Sequence, residues 1–291
     1  MSNQIATHLM ESIERQDWLE PVEESVQNAV SKAFEQAGRG VQDALNGVWL
    51  GHPLHPVITD IPVGAWTTAL LFDIACMSSR KRKYRDAADV AVELGLAGSA
   101  LAAITGLADW KDIKGKDRRA GIVHATLNTL VASLYTGSLI ARRHRARGLG
   151  QALGILGWGV MLTSAWIGGE LVYKYRDGVD QSNSTESPDD WTAILAEADL
   201  PENELRRAEH NRTRILLLRR GNQIFAIGET CSHRGGPLSE GKLDGDCVEC
   251  PWHGSVFNLK DGTVVHGPAT HNQPRYDVRV RDGQIEVKAA R

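Results

Sequence analysis

Two short motifs between residues 231 and 253 each pair a cysteine with a histidine. The first motif is Cys231-x-His233, the second is Cys250-x-x-His253, and a fifth soft ligand, Cys247, precedes Cys250 by three residues. Thiolates and imidazoles bind transition metals, and two thiolates on one iron with two imidazoles on the other make the mixed ligand set of one kind of [2Fe-2S] cluster. A structural zinc site built from the three cysteines and one histidine is the alternative.

The chain around these motifs reads as a series of short strands from Trp191 onward. The segments "TRILLLRR" and "QIFAIGE" flank Gly221-Asn222, and "RYDVRVR" and "QIEVKA" flank Asp282-Gly283. Alternating or apolar runs joined by two such residues are typical of β-hairpins. We therefore predict a small all-β domain over residues 190–291, with the two motifs on loops in its middle.

The segments "CSHRGGPL" and "CPWHGSVF" resemble the two cluster-binding boxes of the Rieske family, and the resemblance extends over residues 190–290. It implies a [2Fe-2S] cluster bound by Cys231, His233, Cys250 and His253. "GPA" at residues 267–269 resembles the proline loop that covers such a cluster from a third side. Neither box carries the extra cysteine of cytochrome bc proteins, so the chain is most similar to the ferredoxin and oxygenase branch.

Residues beside the two boxes are expected around the cluster. Glycines are expected where the backbone approaches the cluster closely, and Trp252 stands where bc proteins have a disulfide cysteine. Ser255 stands where a hydroxyl could bond a cluster sulfide, and Phe257 where high-potential members have a tyrosine. The full set of expected neighbours is Gly235, Trp252, Gly254, Ser255, Phe257 and Pro268. We predict that Cys247 is a buried free thiol.

Four apolar runs of about 20 residues lie between Ile61 and Tyr173, joined by short, strongly charged connectors. This length matches the hydrocarbon thickness of a bilayer, so the pattern predicts four membrane helices. The first two runs contain single acids, Asp73 and Glu93, and Asp60 directly precedes the first run. We expect these three acids to pair with Arg, Lys or His inside the bundle or to serve a proton path.

Three histidines lie near the starts of the first and third runs: His52 and His55 in "GHPLHP", and His124. In a four-helix bundle these two helix starts share one membrane face, so the imidazoles could hold haem b or another metal. The alternative is that the flanking prolines cap the helix and the histidines bond to backbone or lipid headgroups.

The segment "GHPLHPVITDIPVGAW" resembles an uncharacterised bacterial four-helix membrane family. The predicted fold class is therefore multidomain, an N-terminal all-α four-helix transmembrane bundle followed by a C-terminal all-β Rieske domain. The predicted boundaries are an amphipathic helical segment at 1–46, the membrane domain at 47–176, a polar linker at 177–189 and the Rieske domain at 190–291.

These features predict a membrane-bound protein that carries one electron at a time between a membrane donor, either quinone or a haem held by the bundle, and a redox partner protein. It is more an electron-transfer protein or oxidoreductase subunit than a self-contained enzyme. The alternatives are a redox sensor or a membrane-anchored ferredoxin whose bundle is only an anchor.

Composition limits the partners and the location. With 33 basic residues, 36 acidic residues and a net charge of −3, the chain has no basic excess for nucleic acid. Small residues in the last run favour close helix packing and could support a homo-oligomer. We predict that the helices are embedded in the lipid of a bacterial cell membrane. An even number of spans puts both termini on the same side of it. The polar start without an export signal favours the cytoplasmic side.

Overall fold

The computed structural model describes residues 2–79, 81–182 and 187–290, so residues 183–186 of the predicted linker lie outside the described residues. The chain forms two compact units. The first unit comprises Met1–Gln36 and Leu54–Asp177, and the second comprises Ala37–Pro53 and Gly178–Arg291. This division does not follow the predicted boundaries, because residues 1–36 group with the long helices and residues 37–53 group with the β-rich unit.

Seven α-helices occur in the described part of the chain. They are α1 (Ser2–Glu14), α2 (Glu20–Ala37), α3 (Arg39–Asn46), α4 (Leu54–Ser79), α5 (Arg82–Trp110), α6 (Lys116–Arg143) and α7 (Arg147–Tyr173). In the first unit, α4 packs along α5 and α6 packs along α7, and each pair is a hairpin closed by a short connector.

Three of these helices, α4, α5 and α7, are long and apolar enough to cross a membrane. Helix α6 corresponds to the third predicted span and is 28 residues long. It carries charges in its first and last turns and many Ser, Thr and Asn side chains between them, which lower its hydropathy. Membrane crossing by α6 therefore stays a prediction.

Pairing inside the bundle is found for Asp73, whereas the pair that Glu93 forms is exposed. Asp73 accepts hydrogen bonds from Arg147 at 3.1 Å and Gln151 at 3.2 Å and forms a close ion pair with Arg142. Glu93 pairs with Arg143 at 2.8 Å. A charge held in an apolar bundle is stable only when it is paired in this way.

The second unit is an antiparallel β structure. Its ten described strands are β1 (Thr192–Ala196), β2 (Leu205–His210), β3 (Thr213–Arg220), β4 (Gln223–Gly228), β5 (Lys242–Asp244), β6 (Cys247–Glu249), β7 (Val256–Asn258), β8 (Val264–His266), β9 (Tyr276–Arg281) and β10 (Gln284–Ala289). They form three sheets, ordered β1-β10-β9, β2-β3-β4 and β5-β6-β7-β8. The multidomain α plus β fold class is confirmed.

Both predicted hairpins are present. Arg220 pairs with Gln223, which leaves Gly221-Asn222 as the turn between β3 and β4. Arg281 pairs with Gln284, and the turn between β9 and β10 has φ of 50° at Asp282 and 73° at Gly283. Two successive positive φ values are what a tight hairpin turn requires.

Strand β3 explains the continuous apolar run in its sequence. Leu216 and Leu218 lie in one buried cluster, together with Cys231, Cys250 and Phe257, while Ile215 and Leu217 lie in a second cluster against β9 and β10. Successive side chains of a strand point to opposite faces. Because both faces of β3 are covered, all four positions are apolar, and the first cluster places this strand beneath the two motif-bearing loops.

Candidate metal centre

The two motifs lie on loops with the same backbone hydrogen bonds. In the first loop, which follows β4, the Cys231 carbonyl accepts from Gly235 N–H at 2.8 Å, and Cys231 N–H donates to the Gly236 carbonyl at 2.9 Å. In the second loop, between β6 and β7, Cys250 repeats both bonds with Gly254 at 3.1 Å and Ser255 at 2.8 Å. Each cysteine therefore begins an equivalent tight turn.

The glycines of these turns have two different causes. Gly235 and Gly254, the fifth residue of each turn, have φ of 78° and 75°, a region that L side chains rarely adopt. At Gly236 a Cβ would lie 2.8 Å from the Cys250 sulfur and 3.1 Å from the Trp252 ring. Backbone conformation thus accounts for Gly235 and Gly254, and lack of space for a side chain accounts for Gly236; their position beside the cluster stays a prediction.

The turns bring the four predicted ligands into two pairs. The thiols of Cys231 and Cys250 are buried and hydrogen-bonded to each other. The rings of His233 and His253 have centroids 5.1 Å apart and meet edge to face at 88°. Two thiols side by side and two imidazoles side by side fit a cluster that needs two ligands of each kind on its two irons.

A single-ion site has less support. Among the residues that the structure describes, no three His, Cys, Asp or Glu side chains form a group suited to one metal ion. Structural zinc requires four such ligands around one position. The pairing of the ligands therefore favours the two-iron cluster over zinc.

The hydrogen bond between the two thiols couples their ionisation. The hydrogen bond with Cys231 lowers the pKa of the Cys250 thiol to about 7, and the amides of Trp252 and His253 act in the same direction. The same bond, with burial, raises the pKa of the Cys231 thiol well above its ordinary value.

Cys247 stands apart from this arrangement. It lies on β6, opposite Asp244 on β5 and Asn258 on β7, and is half-buried. Burial raises the pKa of its thiol, and the carboxylates of Asp244 and Asp246 raise it further. Cys247 is a free thiol in the structure, half-buried where the sequence predicts a buried one.

The predicted proline loop, residues 267–269, is attached to the second motif loop. Ser255 is buried, and its hydroxyl oxygen accepts a hydrogen bond from Ala269 N–H at 3.0 Å. Ser232 donates to the His271 carbonyl at 2.6 Å, which attaches the first loop to the same segment. The peptide bond between Gly267 and Pro268 is cis. The loop that carries Pro268 is thus held by both motif loops.

The remaining predicted neighbours separate by exposure. Trp252 is 54% exposed, and its ring meets the His253 ring edge to face with centroids 6.4 Å apart. Phe257 is fully buried on β7 in the cluster beneath the loops. Trp252 and the half-buried histidines therefore form the solvent-facing rim of the site, and Phe257 forms part of its base.

Helix α3 contributes a group that the sequence reasoning missed. One carboxylate oxygen of Asp43 accepts from Gly267 N–H at 2.8 Å, and the other lies 2.8 Å from Nδ1 of His266. Arg39 of the same helix pairs with Glu249 on β6 at 3.1 Å. A segment encoded before the membrane helices thereby supports the proline loop. Its sequence carries no ligand motif that could have indicated this role.

The three membrane histidines fall into different places. His55 on α4 donates from Nδ1 to the Ala102 carbonyl of α5 at 2.9 Å, and His124 on α6 contacts the Ser164 carbonyl of α7 through Nδ1 at 2.8 Å. His52 is exposed and belongs to the second unit. Only His55 and His124 of the three are therefore within the helical unit.

Comparison with known proteins gives two family matches. Residues 190–277 match the Rieske [2Fe-2S] domain, and residues 51–181 match a predicted membrane protein family, DUF2231. Both resemblances seen in the sequence are confirmed, and the [2Fe-2S] cofactor with them.

Several known proteins are similar to about a third of this chain. The chain is 35% identical to Ferredoxin CarAc of Metapseudomonas resinovorans, over 33% of this chain and 92% of the relative. It is 40% identical to the 3-phenylpropionate/cinnamic acid dioxygenase ferredoxin subunit of Escherichia coli (strain K12), over 31% and 85%. A solved complex of reduced oxygenase and oxidized ferredoxin in carbazole 1,9a-dioxygenase contains a chain that is 33% identical, over 35% and 96%, with a TM-score of 0.33.

Proposed function

We propose, from the premise that this chain belongs to the Rieske [2Fe-2S] family, that it is a membrane-bound carrier of single electrons between a membrane redox donor and a partner protein. When bound, the cluster supplies one-electron oxidation and reduction. The observation that carries the proposal is the pair of equivalent turns, each presenting one cysteine and one histidine to the same place.

In this proposal Cys231 and Cys250 hold one iron and His233 and His253 hold the other. The apolar cluster beneath the loops excludes water from the thiolate side, while the imidazoles reach the rim. An electron therefore enters or leaves most readily on the histidine side, where the imidazoles are half-buried.

The partner protein binds at this rim. Trp252 is large and more than half exposed beside His253, and aromatic side chains in such positions are common anchors of interfaces. The named relatives are ferredoxins and dioxygenase ferredoxin subunits, so an oxygenase component is the class of partner that we propose.

The helical unit anchors the carrier in lipid. Three helices have the length and composition of membrane spans, and we propose that α6 crosses as the fourth. Four spans place both termini on one side of the membrane, and we propose that this side is cytoplasmic. Protease cleavage within residues 177–189 in inverted vesicles, and not in intact cells, is the expected result. Cleavage in intact cells would place the cluster domain outside.

The ligand assignment is tested on the full-length chain purified in detergent. We expect about two irons and two acid-labile sulfides per chain, and an EPR signal on reduction that reports mixed Cys/His ligation. Cys250→Ser and His253→Ala should each remove most of the cluster, because each takes away one of only four protein ligands.

Cys247→Ser is the matched control, since it changes a cysteine only three residues from Cys250, and it should retain the full iron content. Zinc in place of iron, absence of sulfide, or loss of metal in Cys247→Ser would contradict the proposal. If the helical bundle is only an anchor, the absorption spectrum of the full-length chain should come from the cluster alone.

A further inference from the structure

The two helical hairpins of the first unit carry the same pattern of residues. On α4 and on α6, a histidine is followed after eleven residues by an aromatic residue and after seven more by a charged residue. These are His55, Trp66 and Asp73 on α4, and His124, Tyr135 and Arg142 on α6. Equal spacing of unlike residues along two helices indicates an internal structural repeat.

The second helices of the hairpins repeat as well. Gly95 on α5 faces the Trp66 ring, and Gly157 on α7 faces the Tyr135 ring, where added Cβ atoms would lie 2.2 Å and 3.0 Å from ring atoms. Eleven residues after these glycines, Gly106 faces His55 and Gly168 faces His124. In each hairpin the carbonyl that binds the histidine belongs to the residue four positions before that last glycine.

The hairpins meet through equivalent residues. Trp66 stacks on Tyr135 with ring centroids 4.1 Å apart and planes inclined by 3°. Asp73 pairs with Arg142. The flanking contacts also correspond, because Gln151 of α7 donates to Asp73 at 3.2 Å and Asp89 of α5 accepts from Arg142 at 3.0 Å.

These self-complementary contacts describe a pseudo-two-fold axis that passes between the stacked rings. Since α4 and α6 both begin their hairpins, they run in the same direction, and the axis runs along the bundle. His55 and His124 therefore lie at the same depth on the two sides of this axis. Each histidine lies eleven residues, about three helical turns, before the aromatic residue at the axis, so it lies on the same face of its helix as that ring.

The hydrogen bonds of both imidazoles prepare them for metal binding. A proton on Nδ1, donated to a backbone carbonyl, leaves Nε2 with a lone pair and holds the ring in one orientation. In His124 this tautomer is also indicated by Asn128, whose amide Nδ2 lies 2.9 Å from Nε2. Rotation of the Asn128 side chain is sufficient to free Nε2 of His124 for a metal.

We propose that His55 and His124 are the paired axial ligands of a haem held between the two halves of the helical repeat. Two imidazoles suffice for haem because the porphyrin supplies the other four nitrogens to the iron. A bare ion needs further protein ligands, and in the described residues no third His, Cys, Asp or Glu joins this pair. The inference names the membrane donor of the proposed function and rests on that function only for this role.

The test is the absorption spectrum and haem content of the full-length chain, expressed with a haem precursor and purified in detergent. We expect about one haem per chain, with EPR and resonance Raman signatures of a low-spin iron bound by two nitrogens. His55→Ala and His124→Ala should each reduce the haem content at least tenfold. His144→Ala is the matched control, because this exposed histidine follows α6 at its other end, and it should keep the parent haem content.

A variant that fails to fold is recognised by imidazole rescue. His124→Gly should regain a six-coordinate haem spectrum when imidazole is added, which a misfolded bundle would not do. The proposal would be overturned if the parent bound no haem after addition of haemin, or if its haem iron were bound by anything other than two nitrogens. Retention of haem in the double variant His55→Ala with His124→Ala would also overturn it. The cluster EPR signal is recorded on the same samples, so failure of the haem site and failure of the proposed carrier function are separate outcomes.

Discussion

Ser255 shows how one side chain serves two parts of the candidate metal centre. Its hydroxyl oxygen accepts from Ala269 N–H, and its own hydrogen remains available for donation to a neighbour. The sequence placed this hydroxyl beside the cluster, and the structure adds its bond to the proline loop. Such a donor stabilises the reduced, more negative state of a cluster.

Replacement of Ser255 by alanine should therefore make the reduction potential more negative. A hydrogen bond to a charged group contributes about 1.5 kcal/mol, which corresponds to about 60 mV for one electron. The measurement is a redox titration followed by EPR on the full-length chain. Ser255→Thr keeps the hydroxyl and should stay near the parent value, whereas an unchanged potential in Ser255→Ala would show that the hydroxyl serves only the loop.

At the scale of elements, the site depends on how strands and helices end. β4 and β6 end just before the two cysteines, so the rigid sheets fix where each loop starts. The proline loop begins at the end of β8, and helix α3 supports it through Asp43. Support from α3 is long-range, because Asp43 and Gly267 are 224 residues apart in the chain.

Asp43→Ala should loosen the proline loop and destabilise the cluster domain. The substitution leaves the Gly267 amide without its acceptor and removes the partner of His266, for which a cost of about 1–3 kcal/mol is expected. Bleaching of the cluster absorbance in urea should occur at lower concentration than in the parent. Asp43→Asn retains an acceptor and should show a smaller shift, and equal midpoints for Asp43→Ala and the parent would contradict this role for α3.

At the scale of the whole molecule, a duplicated helical hairpin is joined in one chain to a β domain of a widespread electron-carrier family. Near the C-terminal ends of α4 and α6 lies an ion-pair cluster in which Arg142 binds both Asp73 and Asp89. The guanidinium is almost fully buried. Removal of one partner from such a cluster leaves uncompensated charge in an apolar surrounding.

Arg142→Met should accordingly lower the free energy of unfolding by about 3–5 kcal/mol, seen as a lower Tm in detergent. The double variant Asp73→Asn with Arg142→Met should recover part of this loss, because the stranded carboxylate is removed together with its partner. If the double variant loses as much free energy of unfolding as the two single variants together, Asp73 and Arg142 are not energetically coupled.

The sequence alone determined the features that depend on local spacing. Turn residues between apolar runs predicted both hairpins, apolar length predicted the helices α4, α5 and α7, and the Cys/His spacing predicted the cluster boxes. Each of these is encoded within about 20 neighbouring residues, so periodicity and turn chemistry are sufficient to read it. Helix α6 shows the limit of that reasoning. Its apolar run has no charged residue, but its Ser, Thr and Asn side chains lower the mean hydropathy below that of the other three long helices.

Only the tertiary structure decided which distant residues meet. The assignment of residues 37–53 to the cluster domain, the support of Gly267 by Asp43 and the separation of His52 from His55 all depend on contacts between remote segments. The helical repeat was equally hidden, since its matched positions carry different residues, Trp66 with Tyr135 and Asp73 with Arg142. Complementary partners across a pseudo-two-fold axis need not be identical, and packing and charge pairing reveal a symmetry that residue identity does not.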